Sequence, residues 1–129
     1  MNLNQVTMPT VDLERAADFY RSLGLVQIVS SPPRYARFEC PDGGATLSLH
    51  HVPSLPAQPG AVVYFECEDL DERYDSLLKR GVKFENPPTD QPWLWREAHL
   101  LDPDGNRLCL FRAGANRRFP PWRMDGNAR

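Results

Sequence analysis

The chain has 129 residues, a formal net charge of −2 and a sequence pI near 5.9, enough length for one domain or for two half-domains sharing a core. That charge balance gathers no polyanion, and no apolar run approaches the roughly 18 residues of a membrane span, so nucleic acid and membrane are excluded as partners. Cys40, Cys67 and Cys109 are odd in number and lack a Cys-x-x-Cys pairing; with an opening strand in place of a signal peptide, the expectation is a soluble cytoplasmic protein with reduced thiols.

A first strand is predicted over Leu3 to Met8. Asp12 then opens a helix in which Leu13, Ala16, Ala17 and Tyr20 fall at helical spacing, and Gly24 closes it. A strand near Leu25 to Val29 follows. Next comes a hairpin, Tyr35 to Glu39 and Thr46 to His50, joined by Pro41-Asp42-Gly43-Gly44. Pro53 to Gly60 is a Pro- and Gly-rich linker.

The second half repeats the first. Val62 to Cys67 predicts a strand, and Asp69 opens a helix with Leu70, Tyr74, Leu77 and Leu78 on its apolar face, closed by Gly81. Asp69 and Glu72 have the spacing of a capping box. The two capping aspartates stand 57 residues apart, as do the two closing glycines. A strand over Val82 to Glu85 and a hairpin follow, the hairpin pairing Trp95 to Leu101 with Leu108 to Phe111 around Pro103-Asp104-Gly105-Asn106. The order is βαβββ twice: a first module over 1–52, a linker over 53–60, a second module over 61–113 and a tail over 114–129. The expected class is α+β, with two modules in pseudo-two-fold symmetry, curved mixed sheets around a central cavity and helices outside.

Period-two alternation assigns the faces. Leu47 and Leu49 meet the helix and turn Ser48 and His50 inward; Leu108 and Leu110 do the same for Cys109. Leu94, Ala98 and Leu100 form the apolar set of the preceding strand, which leaves Trp95, Glu97 and His99 for the cavity. The repeat offset maps Gln5 onto Val62, and the hairpin turns map Ser48 onto Cys109. His51, next to His50, points to solvent. An aromatic wall carrying a few polar groups, here Trp95 with Glu97 and His99, is how small-ligand sites are built. The plainest role for Cys109 is that of a small buried residue.

Leu3-Asn4-Gln5-Val6-Thr7-Met8, Val11-Asp12-Leu13-Glu14-Arg15-Ala16-Ala17-Asp18-Phe19-Tyr20, Glu68-Asp69-Leu70 and Asp102-Pro103-Asp104-Gly105-Asn106 together resemble the vicinal oxygen chelate superfamily, over residues 1 to 113. That group holds glyoxalase I, extradiol dioxygenases, fosfomycin-resistance enzymes and bleomycin-resistance proteins. The resemblance implies the fold; the reaction has to be argued from the site. Its metal-dependent members hold a divalent ion at positions that map onto Gln5, Ser48, Val62 and Cys109. Gln5 matches the glyoxalase variant, Val62 cannot coordinate, Ser48 is a poor ligand, and Cys109 replaces a carboxylate. The usual metal site is therefore expected to be largely lost.

Two functional classes follow. One is a small-molecule-binding protein of the bleomycin-resistance type with a metal-free cavity, its ligand contacts drawn from Gln5, Ser48, His50, Val62, Trp95 and Cys109. The other is a lyase, isomerase or dioxygenase-like enzyme. It would use a displaced divalent metal site drawn from Gln5, His50, His99 and Cys109, or Glu97 and His99 as a metal-free acid–base pair. The ligand is an unidentified small molecule, and Arg34, Arg37 and Arg96 are available to an anionic one. A homodimer is expected from the resemblance. The tail, with Phe119 and Trp122, is expected to pack on the body or on a dimer neighbour.

Overall fold

A computed structural model describes residues 1–58 and 60–124. They form two open four-stranded mixed sheets, each with one helix, in the order βαβββ twice. The chain divides into two compact units, Met1–Ala61 with Leu101–Arg107, and Val62–Leu100 with Leu108–Arg129.

In the first unit, β1 (Gln5–Thr10), β2 (Val26–Ser31), β3 (Tyr35–Glu39) and β4 (Thr46–His51) lie in the order β1-β4-β3-β2. β1 runs parallel to β4, while β3 is antiparallel to both its neighbours, with a bulge between Gln27 and Val29 against β2. Helix α1 (Leu13–Ser22) begins where expected: the Asp12 carboxylate accepts a hydrogen bond from the Arg15 N–H, 3.1 Å. Gly24 follows the helix at φ 103°, a conformation glycine adopts without strain. Leu13, Ala16, Ala17 and Tyr20 bury one stripe of α1, and the core of this unit comprises them with Met8, Ala36, Phe38, Leu47 and Leu49.

The first unit also holds the turn of the second hairpin. Asp102 is buried, and its carboxylate accepts from the Asp104 N–H (2.9 Å), the Asn106 N–H (2.9 Å) and the Asn106 side-chain amide (2.8 Å). It also accepts from the Tyr20 hydroxyl at 2.6 Å. Burial, and then the neighbouring Asp102 carboxylate, push the Tyr20 phenol well above its ordinary value. Asn106 reaches the Pro9 carbonyl (3.1 Å), and Asp104 accepts from the Val11 N–H (3.0 Å). Asp-Pro-Asp-Gly-Asn is thus a polar knot around one carboxylate, and Gly105 at φ 84° closes it.

In the second unit, β5 (Val62–Glu66), β6 (Thr89–Asp90), β7 (Arg96–Leu101) and β8 (Arg107–Arg112) lie in the order β5-β8-β7-β6. Helix α2 (Leu70–Lys79) buries Leu70 and Leu77, and Ala98, Leu100, Leu108 and Leu110 are buried on the strands. Three expectations change here. Asp69 precedes α2 but makes no capping hydrogen bond; its carboxylate instead takes Arg73 one turn on, at 3.3 Å. Val82 to Glu85 is not a strand. The Glu85 N–H pairs with the His99 carbonyl at 2.7 Å, after which the Asn86 side chain accepts from the His99 N–H (3.0 Å) and donates to the Glu97 carbonyl (3.1 Å). Asn86 thereby stands in for strand backbone, Pro87 and Pro88 supply no N–H, and pairing resumes as the two-residue β6. Leu94 lies outside β7, exposed at φ 70°, because Gln91 to Trp95 closes as a turn, with Gln91 N–H to Trp95 carbonyl at 2.7 Å.

The tail opens with a 3-10 turn over Gly114–Asn116, and the Glu66 carboxylate accepts the N–H groups of Ala113 and Gly114 at 3.1 and 3.0 Å. Phe119 and Trp122 are each 57% exposed, with Arg118 and Arg123 over the Phe119 ring. Residues 125–129 of the tail lie outside the described residues. Among the described residues, no helix is long and apolar enough to cross a membrane.

Candidate functional site

One face of the first sheet is polar because alternation puts Val6, Met8, Ala36, Phe38, Leu47 and Leu49 on the other. The register brings Gln5 opposite Thr46, Ser48 between Thr7 and Arg37, and Tyr35 opposite His50. These side chains form one hydrogen-bonded chain. The Thr46 hydroxyl donates to the Gln5 amide oxygen, and the Gln5 amide nitrogen donates to Ser48 Oγ at 2.6 Å. Ser48 Oγ lies 2.6 Å from Tyr35 Oη, to which Arg37 Nε donates at 2.9 Å. The hydrogen bond with Ser48 holds the Tyr35 phenol below its usual range, and Arg37 adds to the effect by hydrogen bond and charge. Either oxygen can donate in the Ser48–Tyr35 hydrogen bond; when Ser48 donates alongside Arg37, Tyr35 keeps its own O–H for a ligand. His50 is exposed on β4.

The Gln5 amide oxygen, the atom a hard ion would need, already accepts from Thr46. Ser48 is fully buried and held by Gln5 and Tyr35. Val62, half-buried on β5, offers no donor atom, and Cys109 supplies sulfur where the family supplies a carboxylate. These four residues do not fit the family's ion.

The second unit places Glu97 and His99 on β7 and Cys109 beside them on β8. Glu97 Oε1 lies 2.8 Å from His99 Nε2, the Glu97 side chain being 3% and the His99 side chain 35% exposed. Trp93 donates its indole N–H to the other oxygen, Glu97 Oε2, at 2.6 Å. Cys109 Sγ lies 3.7 Å from His99 Nε2, and one ligand atom from each of the three residues falls within 4.8 Å of the others. Burial and then the Glu97 carboxylate push the Cys109 thiol up to about 12, so without a partner cation it carries its proton. His99 Nδ1 has no hydrogen-bond partner among the described residues.

Trp95 stacks on Phe111 at 4.7 Å between centroids and meets Tyr64 edge-on at 5.8 Å, its N–H reaching the Asn116 carbonyl at 3.3 Å. It therefore belongs to an aromatic cluster next to the polar trio. Of the predicted residues, the structure joins Gln5 with Ser48, and Glu97 with His99 and Cys109; His50 is not one of that trio. Sequence reasoning missed Tyr35, Trp93 and Asn86. Tyr35 and Arg37 alternate on β3 and could have been found from Ser48 by register, whereas the reach of Trp93 depends on the turn at Leu94.

Two open mixed sheets of βαβββ topology, each carrying one helix, define the class of fold to which the glyoxalases belong. Residues 2–110 match the Glyoxalase/Bleomycin resistance protein/Dioxygenase superfamily, and the chain belongs to it. It is 33% identical to the uncharacterized protein YraH of Bacillus subtilis (strain 168), over 87% of this chain and 98% of that one. It is similar in structure to a glyoxalase/bleomycin resistance protein/dioxygenase from Nocardioides, at TM-score 0.77 and 28% identity, over 97% of this chain and 90% of that one. A bleomycin-binding protein solved with bleomycin shares the fold, at TM-score 0.72 and 23% identity, over 87% of this chain and 98% of that one.

Proposed function

We propose that the protein binds a small organic molecule without an ion at the family's usual metal positions, using the polar face of its first sheet. The observation that carries this reading is the chain from Thr46 through Gln5 and Ser48 to Tyr35 and Arg37, in which the one family-like ligand, Gln5, is spent on internal hydrogen bonds. What the face offers a ligand is the Tyr35 hydroxyl and the outer nitrogens of Arg37, which have no hydrogen-bond partner among the described residues; both suit an acceptor or anionic group. Metal-free bleomycin is a suitable first probe, because the bleomycin-binding protein shares the fold, and a small-molecule library is the second. Binding by calorimetry should be the same with and without EDTA, and Tyr35→Phe or Arg37→Ala should weaken it about tenfold or more. Binding that requires an added ion, or no compound from either set raising the melting temperature, would overturn the reading.

A second reading has its own observation, the 2.8 Å contact between His99 and the buried Glu97. A carboxylate fixed by an indole N–H and touching a partly exposed imidazole is an arrangement for acid–base chemistry. The assay is turnover of the methylglyoxal–glutathione hemithioacetal and of catechol. Activity lost in both Glu97→Gln and His99→Ala would favour an enzyme; no turnover by the unaltered protein removes this reading for those two reactions.

A further inference from the structure

We infer that Glu97, His99 and Cys109 form a binding site for a borderline-soft divalent cation, zinc in the first place, built wholly within the second unit and sharing only Cys109 with the family's usual metal positions. The site offers one oxygen, one nitrogen and one sulfur within 4.8 Å of one another, from residues on the neighbouring strands β7 and β8. That mixed donor set suits zinc better than magnesium or calcium, which prefer oxygen alone.

Two of the three spacings are close to what zinc needs, and the third pair, Glu97 with Cys109, lies within 4.8 Å. Bonds of about 2.0 to 2.3 Å put neighbouring donors of a tetrahedral ion roughly 3.3 to 3.7 Å apart. Cys109 Sγ and His99 Nε2 already stand at 3.7 Å. Glu97 Oε1 and His99 Nε2, at 2.8 Å, are held by the hydrogen bond that the ion would replace, so they must open by about half an ångström to reach zinc spacing. The supporting contacts are in place. Trp93 fixes the second Glu97 oxygen at 2.6 Å and leaves Oε1 to point at His99. The Asn86 side chain pins the backbone of both residues, through the Glu97 carbonyl and the His99 N–H. Outer partners of this kind orient ligands and raise affinity.

Charge supports the same assignment. A carboxylate and a thiolate beside a dication sum to zero around a neutral imidazole. Uptake exchanges the thiol proton for the ion, releasing one proton to the buffer, while the His99 ring proton moves to Nδ1. Three protein ligands, with His99 partly exposed, leave a fourth position for water or a small ligand. The inference goes beyond both functional readings: ion uptake in the second unit can succeed or fail with ligand binding on the first sheet unchanged.

The test is titration of the full chain, stripped with chelator and desalted, with cobalt(II) and then zinc. The expected result is one equivalent of cobalt with a thiolate charge-transfer band in the near ultraviolet, one proton released per ion, and displacement by zinc. Cys109→Ser should abolish the band. His99→Asn, at a partly exposed position that leaves the core intact, should weaken binding by more than about 100-fold, beyond the range of outer partners, and Trp93→Phe by about tenfold. Cys40→Ser and Cys67→Ser should keep the band. No saturable binding of either ion, an unchanged band in Cys109→Ser, or a band lost in Cys67→Ser and kept in Cys109→Ser would each overturn the proposal. Circular dichroism and melting temperature separate lost binding from lost folding, and His99→Asn decides if Cys109→Ser unfolds.

Discussion

Tyr20→Phe tests the carboxylate knot that fixes the second hairpin's turn. Tyr20 is fully buried, and its hydroxyl donates to Asp102 at 2.6 Å. A buried hydrogen bond to a charged group contributes about 1.5 to 3 kcal/mol. Asp102 keeps three other donors, at 2.8, 2.9 and 2.9 Å, so the loss should fall at the lower end, about 1.5 to 2 kcal/mol. At this chain length that lowers the melting temperature by roughly 5 to 9 °C. Asp102→Ala should cost more, about 3 to 5 kcal/mol, because it strands all four donors, the Tyr20 hydroxyl among them. Urea denaturation of the three proteins gives both differences. A pH series adds an independent check. Because the folded-state phenol titrates well above its unfolded value of about 10, the folded protein keeps a proton that the unfolded chain loses. The Tyr20 contribution is therefore fully present below pH 10 and declines above it, by at most about 1.4 kcal/mol per pH unit. Tyr20→Phe should flatten that part of the alkaline limb. A cost under about 0.5 kcal/mol for Tyr20→Phe, or an Asp102→Ala cost no larger than that of Tyr20→Phe, would refute the reasoning.

Three further outcomes are expected. Cys109 is buried and its thiol is pushed up to about 12, so a thiol reagent at about pH 8 should modify half-buried Cys40 first and leave Cys109 until the protein unfolds, as read by mass spectrometry; equal labelling of the two would contradict this. Ser48→Ala removes the largest influence lowering the Tyr35 phenol, so ultraviolet titration of the variant should place Tyr35 at a higher pH than in the parent, and an unchanged value would break the hydrogen-bonded chain as drawn. Gly105→Ala forces an L-residue to φ 84° at a point where its Cβ would meet nothing within 4 Å. The cost should be about 1 to 2 kcal/mol of backbone strain in urea denaturation, and a loss of more than about 3 would mean that a clash had been overlooked.

Most of the fold was legible because period, caps and turn chemistry agreed with one another. The apolar stripe of Leu13, Ala16, Ala17 and Tyr20 and the Asp12 cap located α1 within a residue or two, and Tyr35 to Glu39 was read at its observed bounds. Failures came where a side chain replaced backbone. Val82 to Glu85 has the composition of a strand, but the ladder passes through the Asn86 amide and then meets two prolines. Asp69 and Glu72 carry capping-box spacing, yet Arg73 competes for the same carboxylate with a full charge. Leu94 fits the apolar alternation of β7, which cannot reveal that the strand begins only at Arg96.

The site was legible along strands and much less so across them. Glu97 and His99 are two residues apart, so period two alone puts them on one face, and they touch at 2.8 Å. Alternation turned Ser48 inward and the family resemblance grouped it with Gln5, and they touch at 2.6 Å. Strand register then decides chemistry that spacing cannot. β8 sets Cys109 against His99, β3 sets Arg37 beside Ser48, and a turn swings Trp93 onto Glu97. Cys109 alone reads as a lost carboxylate. With Glu97 and His99 within reach it becomes the sulfur of a mixed donor set, so a substitution that undoes the family's hard-ion position also supplies what a softer ion needs.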